Sequence, residues 1–178
     1  QFFFHTAQTI EVFAFGAGTI GGTMIDQIRD QREKLLKENV DIKVLAITTI
    51  DGMNLSEDGL DLTNWRKDLK TPMFKFGPEN VDDIIKFVKE KKPLNPVFVD
   101  CTASYDLPDR YLDILNAGMS IATPNKRANS KNIEFYHELR RVANKMHRRF
   151  LYETNVGAGL PIIDTLQNLY KSGDKLTS

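Results

Sequence analysis

The sequence predicts an α/β fold, a doubly wound, mostly parallel open sheet with helices on both faces. Three observations point there. Short apolar runs alternate with amphipathic segments along the 178 residues, the pattern of successive strand–helix–strand units. The first apolar run, Glu11–Phe15, leads directly into the string Gly16-Ala17-Gly18-Thr19-Ile20-Gly21, and a helical pattern follows it. Later runs such as Val97–Asp100 are short and apolar without alternation, as expected of parallel strands buried on both faces.

In chain order, Glu11–Phe15 is expected to be a buried strand. A helix follows from about Thr19 to Glu38, with Ile20, Met24, Ile28, Leu35 and Leu36 on its apolar face. Asp41–Thr48 is the second strand and closes the first βαβ unit. Residues 49 to 76 are less regular: a short helix is expected around Trp65 and a short edge strand over Met73–Phe76. Pro78 opens a helix whose Val81, Ile84, Ile85 and Val88 fall on one face, and Pro93 ends it. Val97–Asp100 is a strand and Leu107–Asn116 a helix stopped by Gly118. Met119–Ala122 is a strand, and Ser130–Met146 a helix with Ile133, Tyr136, Val142 and Met146 inward. Phe150–Tyr152 is a strand. Pro161 begins a last helix, where its missing N–H costs nothing. Ile162, Ile163, Leu166, Leu169 and Tyr170 make that helix unusually apolar.

Composition excludes several classes. Lys+Arg and Asp+Glu both number 24, for a formal net charge of zero, which argues against electrostatically driven binding of nucleic acid or a membrane surface. No apolar run approaches the ~20 residues that span a bilayer, and Gln1–His5 is too short for a signal peptide's apolar region. The single cysteine, Cys101, permits no internal disulfide and fits a reducing, cytoplasmic setting. One cysteine with His5, His137 and His147 offers no zinc-ligand spacing. Arg140, Arg141, Lys145, His147, Arg148 and Arg149 form a basic cluster, read as a solvated helix end. Cys101 has no histidine near it in sequence to make it a nucleophile, and His137 is read as a packing or surface residue. The chain opens on Gln1 and closes at Ser178, and is expected to be a fragment of a longer protein. Its expected division is a linker over residues 1–10, a dinucleotide-binding domain over 11–155 and the start of a further domain over 156–178.

The glycine string has the strand-to-helix context that gives G-x-G-x-x-G its meaning, a Rossmann-type dinucleotide site. Gly16 serves the tight turn. Gly18 lets the backbone approach a pyrophosphate, and Gly21 lets the helix lie close on the strand. Ala17, Thr19 and Ile20 complete the loop at the helix N-terminus, where free N–H groups attract an anion. The end of the second strand normally separates NAD from NADP. There Thr48, Thr49 and Asp51 are the candidates. Asp51 either faces the adenosine, where it would repel a 2′-phosphate, or merely starts a turn with Gly52.

Three further strings narrow the reading: Val99-Asp100-Cys101-Thr102-Ala103-Ser104, Ala122-Thr123-Pro124-Asn125-Lys126-Arg127-Ala128-Asn129, and Tyr152-Glu153-Thr154-Asn155-Val156-Gly157-Ala158-Gly159-Leu160-Pro161. With the glycine loop, in this order and spacing, the chain resembles homoserine dehydrogenase along essentially its whole length. Residues Gln1–Phe13 resemble the linker that joins an aspartokinase to homoserine dehydrogenase in the bifunctional enzyme. The resemblance implies an NAD(P)-dependent oxidoreductase that interconverts homoserine and aspartate 4-semialdehyde in threonine and methionine synthesis, commonly as a homo-oligomer. It also implies that Thr102 and Lys126 line the nicotinamide end of the cofactor site. Glu153, Val156, Ala158 and Leu160 match the family's monovalent-cation (sodium) site, although a loop serving only as a helix cap is the plainer alternative. Many family members carry Lys or Arg where Asp51 stands, so the departure raises NAD against NADP. The family's substrate-holding acidic residues and its acid/base lysine lie downstream of the part this chain matches. The chain is therefore expected to bind cofactor without useful catalysis, and no catalytic residue is assigned within it. Two other readings remain: a non-catalytic dinucleotide sensor, and an interaction module that associates through residues 162–170.

Overall fold

In the computed structural model, which describes residues 7–172, the first strand β1 (Gln8–Phe15) lies in the middle of a sheet and every crossover is organised about it. Among the described residues the remaining elements are α1 (Thr19–Lys37), β2 (Val40–Thr49), β3 (Gly52–Leu55), α2 (Trp65–Asp68), β4 (Phe74–Lys75), α3 (Glu79–Lys91), β5 (Pro96–Asp100), α4 (Tyr111–Asn116, entered by a 3-10 turn at Leu107–Arg110), β6 (Ser120–Ala122), α5 (Ile133–Lys145), β7 (Phe150–Leu151) and α6 (Ile162–Lys171). The sheet order is β4-β3-β2-β1-β5-β6-β7. β1 pairs in parallel with both β2 and β5, and β5–β6 and β6–β7 are parallel too. Strand order therefore reverses direction between β1 and β5. That reversal opens a crevice beyond the strands' C-terminal ends, where ligands of such sheets bind.

The two faces are covered by different helices. Ile25 of α1 and Trp65 and Leu69 at α2 bury against Val12, Ala14, Val44, Ile47 and Val99 on one face. On the other, α3, α4 and α5 bury Val81, Ile84, Val88, Ile114, Leu115, Leu139 and Val142 against Phe13, Phe15, Phe98 and Ile121. Right-handed crossovers running outward in both directions from β1 require this division.

The predicted elements are present, with instructive differences. The strand β3 was not anticipated. It pairs antiparallel with β2 and β4, and its four residues, Gly-Met-Asn-Leu, are too few for their alternation to mark a strand. The inward positions expected at Ile20 and Ile133 are corrected: they are 60% and 58% exposed. Each sits in the first turn of its helix. Leu36 is likewise exposed, at a cavity it lines with Ile42 and Val44 of β2, and the inward face of α5 is carried by Leu139, Val142 and Ala143. α5 starts later than expected, at Ile133, where the Asn132 side chain caps it by accepting from the Phe135 amide at 2.8 Å. The linker expected over residues 1–10 lies mostly outside the described residues, and from Gln8 onward the chain is already strand. Residues 173–178 of the expected third segment are also outside them. No helix among the described residues is long and apolar enough to cross a membrane.

One ion cluster ties α2 to α1. Asp26 accepts from Arg66 through Nη1 and Nη2 at 2.8 and 2.5 Å, and from Trp65 Nε1 at 3.0 Å. The Arg66 bonds, and after them the Trp65 bond, hold the Asp26 carboxyl down at about 2. A folded-state value below the unfolded one stabilises the fold above roughly pH 4, and this contribution is lost as pH falls through about 2. Asp26→Asn is accordingly expected to unfold at lower urea than wild type at pH 7, with the gap closing between about pH 4 and pH 2.

Candidate functional site

The glycine loop is built by contacts specific to each glycine. Gly16 adopts φ +84°, and its amide donates to the Thr48 carbonyl at 2.9 Å, which ties the loop to the end of β2. A Cβ there would lie 2.9 Å from Thr102 Cγ2. A Cβ on Gly21 would sit well inside contact distance of the Gly16 carbonyl oxygen and 3.1 Å from Cys101 Cβ. Both positions are therefore glycine for reasons internal to the protein. Gly18 is different. Its φ is −72°, and an added Cβ would meet nothing within 4 Å. The protein itself leaves that space open, directly at the N-terminus of the 19-residue α1, which has no side-chain cap. The free first-turn amides there carry partial positive charge.

Gly22, which the sequence did not single out, is buried where a Cβ would meet the Ala17 carbonyl at 3.3 Å and the Trp65 ring at 3.5 Å. It sets the close approach of α2 to the loop. Thr19 opens α1, and Ile20 stands at the mouth of a cleft of roughly 490 Å³ lined also by Met24, Cys101, Thr123, Pro124 and Glu153. This cleft brings the glycine loop together with the loops that follow β5, β6 and β7.

At the end of β2, Thr48 is buried and its Oγ1 has no partner among the described residues. Asp51 occupies the exposed two-residue tip of the β2–β3 hairpin, where its amide donates to Thr49 Oγ1 at 3.2 Å. It does belong to a turn ending at Gly52, and the turn lies at the C-terminal end of β2.

Beyond β5 and β6 lies a cluster that sequence reasoning missed. Asp100 is fully buried. Its Oδ1 accepts from the Thr102 amide at 2.8 Å and Thr102 Oγ1 at 2.6 Å. Its Oδ2 accepts from the Tyr111 phenol at 2.5 Å and Asn125 Nδ2 at 3.1 Å. Thr123 Oγ1 donates to the Asp100 carbonyl at 2.9 Å. Burial, with the Asp100 charge adding to it, pushes the Tyr111 phenol well up from its ordinary value. The same two causes push the Cys101 thiol up to about 11, which makes it a poor nucleophile at neutral pH. The available signal was a carboxylate at the end of an otherwise apolar strand. Lys126 is exposed in the turn after β6, beside Arg127, whose guanidinium stacks 3.6 Å from the Tyr105 ring centroid.

Glu153 accepts through its two carboxylate oxygens from the Ile163 and Asp164 amides at 3.0 and 2.9 Å, capping α6. Val156 lies just before a curl made by Gly157 and Ala158, at φ +75° and +51°. The Leu160 carbonyl accepts from the Ile162 amide at 2.9 Å. Among the described residues, no three His, Cys, Asp or Glu side chains cluster to hold a metal. The basic cluster is partly committed: Arg140 donates to the phenols of Tyr136 and Tyr152, and Arg141 pairs with Glu138. His137 is exposed.

The residues present fit a dinucleotide. Gly18 leaves an open cradle over uncapped helix amides, and Thr48 holds a buried hydroxyl without a partner where a ribose would lie.

Comparison with known proteins follows the same lines. The family described as the NAD-binding domain of homoserine dehydrogenase matches residues 16–153. A bifunctional aspartokinase/homoserine dehydrogenase of Haemophilus influenzae is 42% identical over 176 residues, which is 99% of this chain and 21% of that protein. Among solved structures, a Candida auris protein of unknown function superposes with a TM-score of 0.80 at 30% identity, covering 94% of this chain and 45% of that one. A hyperthermophilic archaeal homoserine dehydrogenase in complex with NADPH superposes at 0.69 with 25% identity, covering 89% and 48%. The chain thus spans about a fifth of the bifunctional relative's length and about half of the two superposed proteins.

Proposed function

The chain belongs to the homoserine dehydrogenase family, as its NAD-binding domain, and we propose that it supplies the cofactor half of an enzyme that interconverts L-homoserine and L-aspartate 4-semialdehyde. The observation that carries this reading is Gly18, a glycine that nothing within the protein requires, set over the uncapped start of α1. NAD or NADP, when bound, supplies or takes up the hydride. The chain's own residues bind and orient it. The amides of Gly18, Thr19 and Ile20 face the pyrophosphate, with Ala17 beside them, while Thr48 and Asp51 stand at the adenosine ribose. Thr102 and Lys126 border the nicotinamide, where the exposed Lys126 ammonium favours negative charge developing on a substrate oxygen. We expect the chain by itself to bind cofactor without turnover, and place the remaining substrate and acid/base groups in the parent's downstream sequence. The test is homoserine-dependent reduction of NADP⁺ and NAD⁺ by the whole encoded protein. Absence of both activities in a folded protein would favour a non-catalytic dinucleotide sensor.

Asp51 at the hairpin tip favours NAD, since its charge opposes a 2′-phosphate. Asp51→Lys should shift the ratio of NADP⁺ to NAD⁺ affinity upward by about tenfold, an exposed like-charge pair being replaced by an attractive one. An unchanged ratio in paired titrations places Asp51 outside the ribose site.

Glu153 and the carbonyls of Val156, Ala158 and Leu160 are hard oxygen donors suited to sodium, and the curl at residues 157 and 158 lets the chain bend around an ion. Each Glu153 oxygen, bonded to one helix amide, retains acceptor capacity. Sodium bound there should raise the thermal midpoint in sodium chloride above that in choline chloride at equal ionic strength, and equal midpoints reduce Glu153 to a helix cap. A cytoplasmic location and homo-oligomeric assembly of the parent complete the reading. They are supported by the lone cysteine and by the apolar residues Leu166, Leu169 and Tyr170, exposed on α6.

A further inference from the structure

We propose that Asp100 is the positioning residue for the reactive end of the cofactor site. Its buried carboxylate holds the loops after β5 and β6 in the register that receives the nicotinamide half of the dinucleotide. The proposal rests on the dinucleotide reading above.

A carboxylate removed from water is costly unless its lone pairs are filled. At Asp100 they are filled by neutral donors alone, and the donors divide by origin. Oδ1 takes both of its bonds from Thr102, in the loop after β5. Oδ2 takes one from Tyr111 on α4 and one from Asn125 in the loop after β6. One side chain thus bridges two loops that follow different strands.

The bridge is reinforced on both sides. Thr123 Oγ1 donates to the Asp100 carbonyl and accepts from the Asn125 amide at 2.9 Å. Asn125 Nδ2 also reaches the Ser104 carbonyl at 3.0 Å, and Asn125 Oδ1 accepts from the Arg127 amide at 3.1 Å. Lys126 is therefore held between two anchored residues, although its own side chain is exposed.

The network's place in the fold assigns its task. The adenosine ribose of a dinucleotide is held at the end of β2, and the pyrophosphate at the start of α1, so the other half lies across the switch point over β5 and β6. Thr102 Cγ2 stands 2.9 Å from the point a Gly16 Cβ would occupy. Thr123 lines the cleft with Ile20 and Cys101. None of the carboxylate's four donors comes from α1 or β2. Loss of the carboxylate should therefore disturb one half of the ligand and spare the other.

The experiment compares two ligands on the same chain by calorimetric titration. One is the reduced coenzyme that the chain binds more tightly, NADH or NADPH. The other is its adenosine portion alone, ADP or 2′-phospho-ADP. For Asp100→Asn we expect affinity for the whole coenzyme to fall about tenfold, the scale of one charge-assisted hydrogen bond. Affinity for the adenosine portion should stay within about twofold of wild type. Tyr111→Phe, which removes a single donor and keeps the ring in the core, should show the same selective loss at smaller size. It carries the comparison if Asp100→Asn does not fold. Parallel weakening of both ligands would reduce Asp100 to a general stabiliser, and unchanged coenzyme binding in folded variants would remove any positioning role. A wild-type chain that binds neither ligand overturns the dinucleotide reading, and this proposal with it.

Discussion

Gly18→Val is expected to weaken dinucleotide binding by about 100-fold or more while leaving the chain folded. The contrast follows from what surrounds the residue. A side chain at position 18 meets no protein atom within 4 Å and needs no left-handed backbone, so folding has little reason to exclude it. Exchanging a glycine at a helix N-cap costs at most about 1 kcal/mol. A branched side chain there would stand over the amides that start α1 and displace the pyrophosphate from them, a loss of roughly 3 kcal/mol in binding. Calorimetry for affinity and urea unfolding for stability check the two halves of the expectation separately. An unfolded variant would show that position 18 serves the fold instead.

Gly21→Ala should do the reverse, destabilising the fold itself whether or not a ligand is present. The added methyl is driven into the Gly16 carbonyl. That oxygen cannot step aside, because Gly16 is held at φ +84° and its amide is bonded to Thr48. Relief requires α1 to lift from β1, which loosens the fully buried Ile25. Overpacking and the lost burial together come to about 3 kcal/mol, or a fall of roughly 6–12 °C in thermal midpoint for a chain of this size. Thermal unfolding followed by circular dichroism measures it. A midpoint within about 2 °C of wild type would mean that the helix and strand are not in close contact at this point.

These two glycines, three residues apart, illustrate what the sequence could tell. The pattern placed both in one loop because the strand, turn and helix that define it are contiguous. The usual roles of the pattern already gave Gly21 to helix–strand packing and Gly18 to the ligand, and the surroundings of each residue in space agree with that division. The alternation of apolar and amphipathic segments was enough for the parallel core, where period and length agree. It failed at β3, whose four residues are too few to establish a period and which is defined by the β2–β3 hairpin folding back on β2. It misjudged Ile20 and Ile133, both in first turns, because helical spacing says which face is apolar but not which turns of the helix are covered.

The Asp100 cluster was least legible. Asp100, Thr102, Thr123 and Asn125 stand inside strings that carry the family resemblance, yet Tyr111, Thr123 and Asn125 lie 11 to 25 positions from Asp100. Tyrosine, threonine and asparagine are individually unremarkable. Only the fold brings three strand-end and helix positions around one carboxylate. Glu153 presents the opposite case. Its position was singled out, and the contacts observed for it, two amides of α6, are those of a helix cap.

The central claim is that the crevice between β1 and β5 binds a dinucleotide through the glycine loop. The most direct measurement is calorimetric titration of the folded chain with NAD⁺ and, separately, NADP⁺. The account predicts one-to-one binding of at least one of them, lost in Gly18→Val and retained in Asp26→Asn, whose substitution lies away from the open cradle. Saturable binding that survives Gly18→Val, or a folded wild-type chain that binds neither coenzyme, would contradict it.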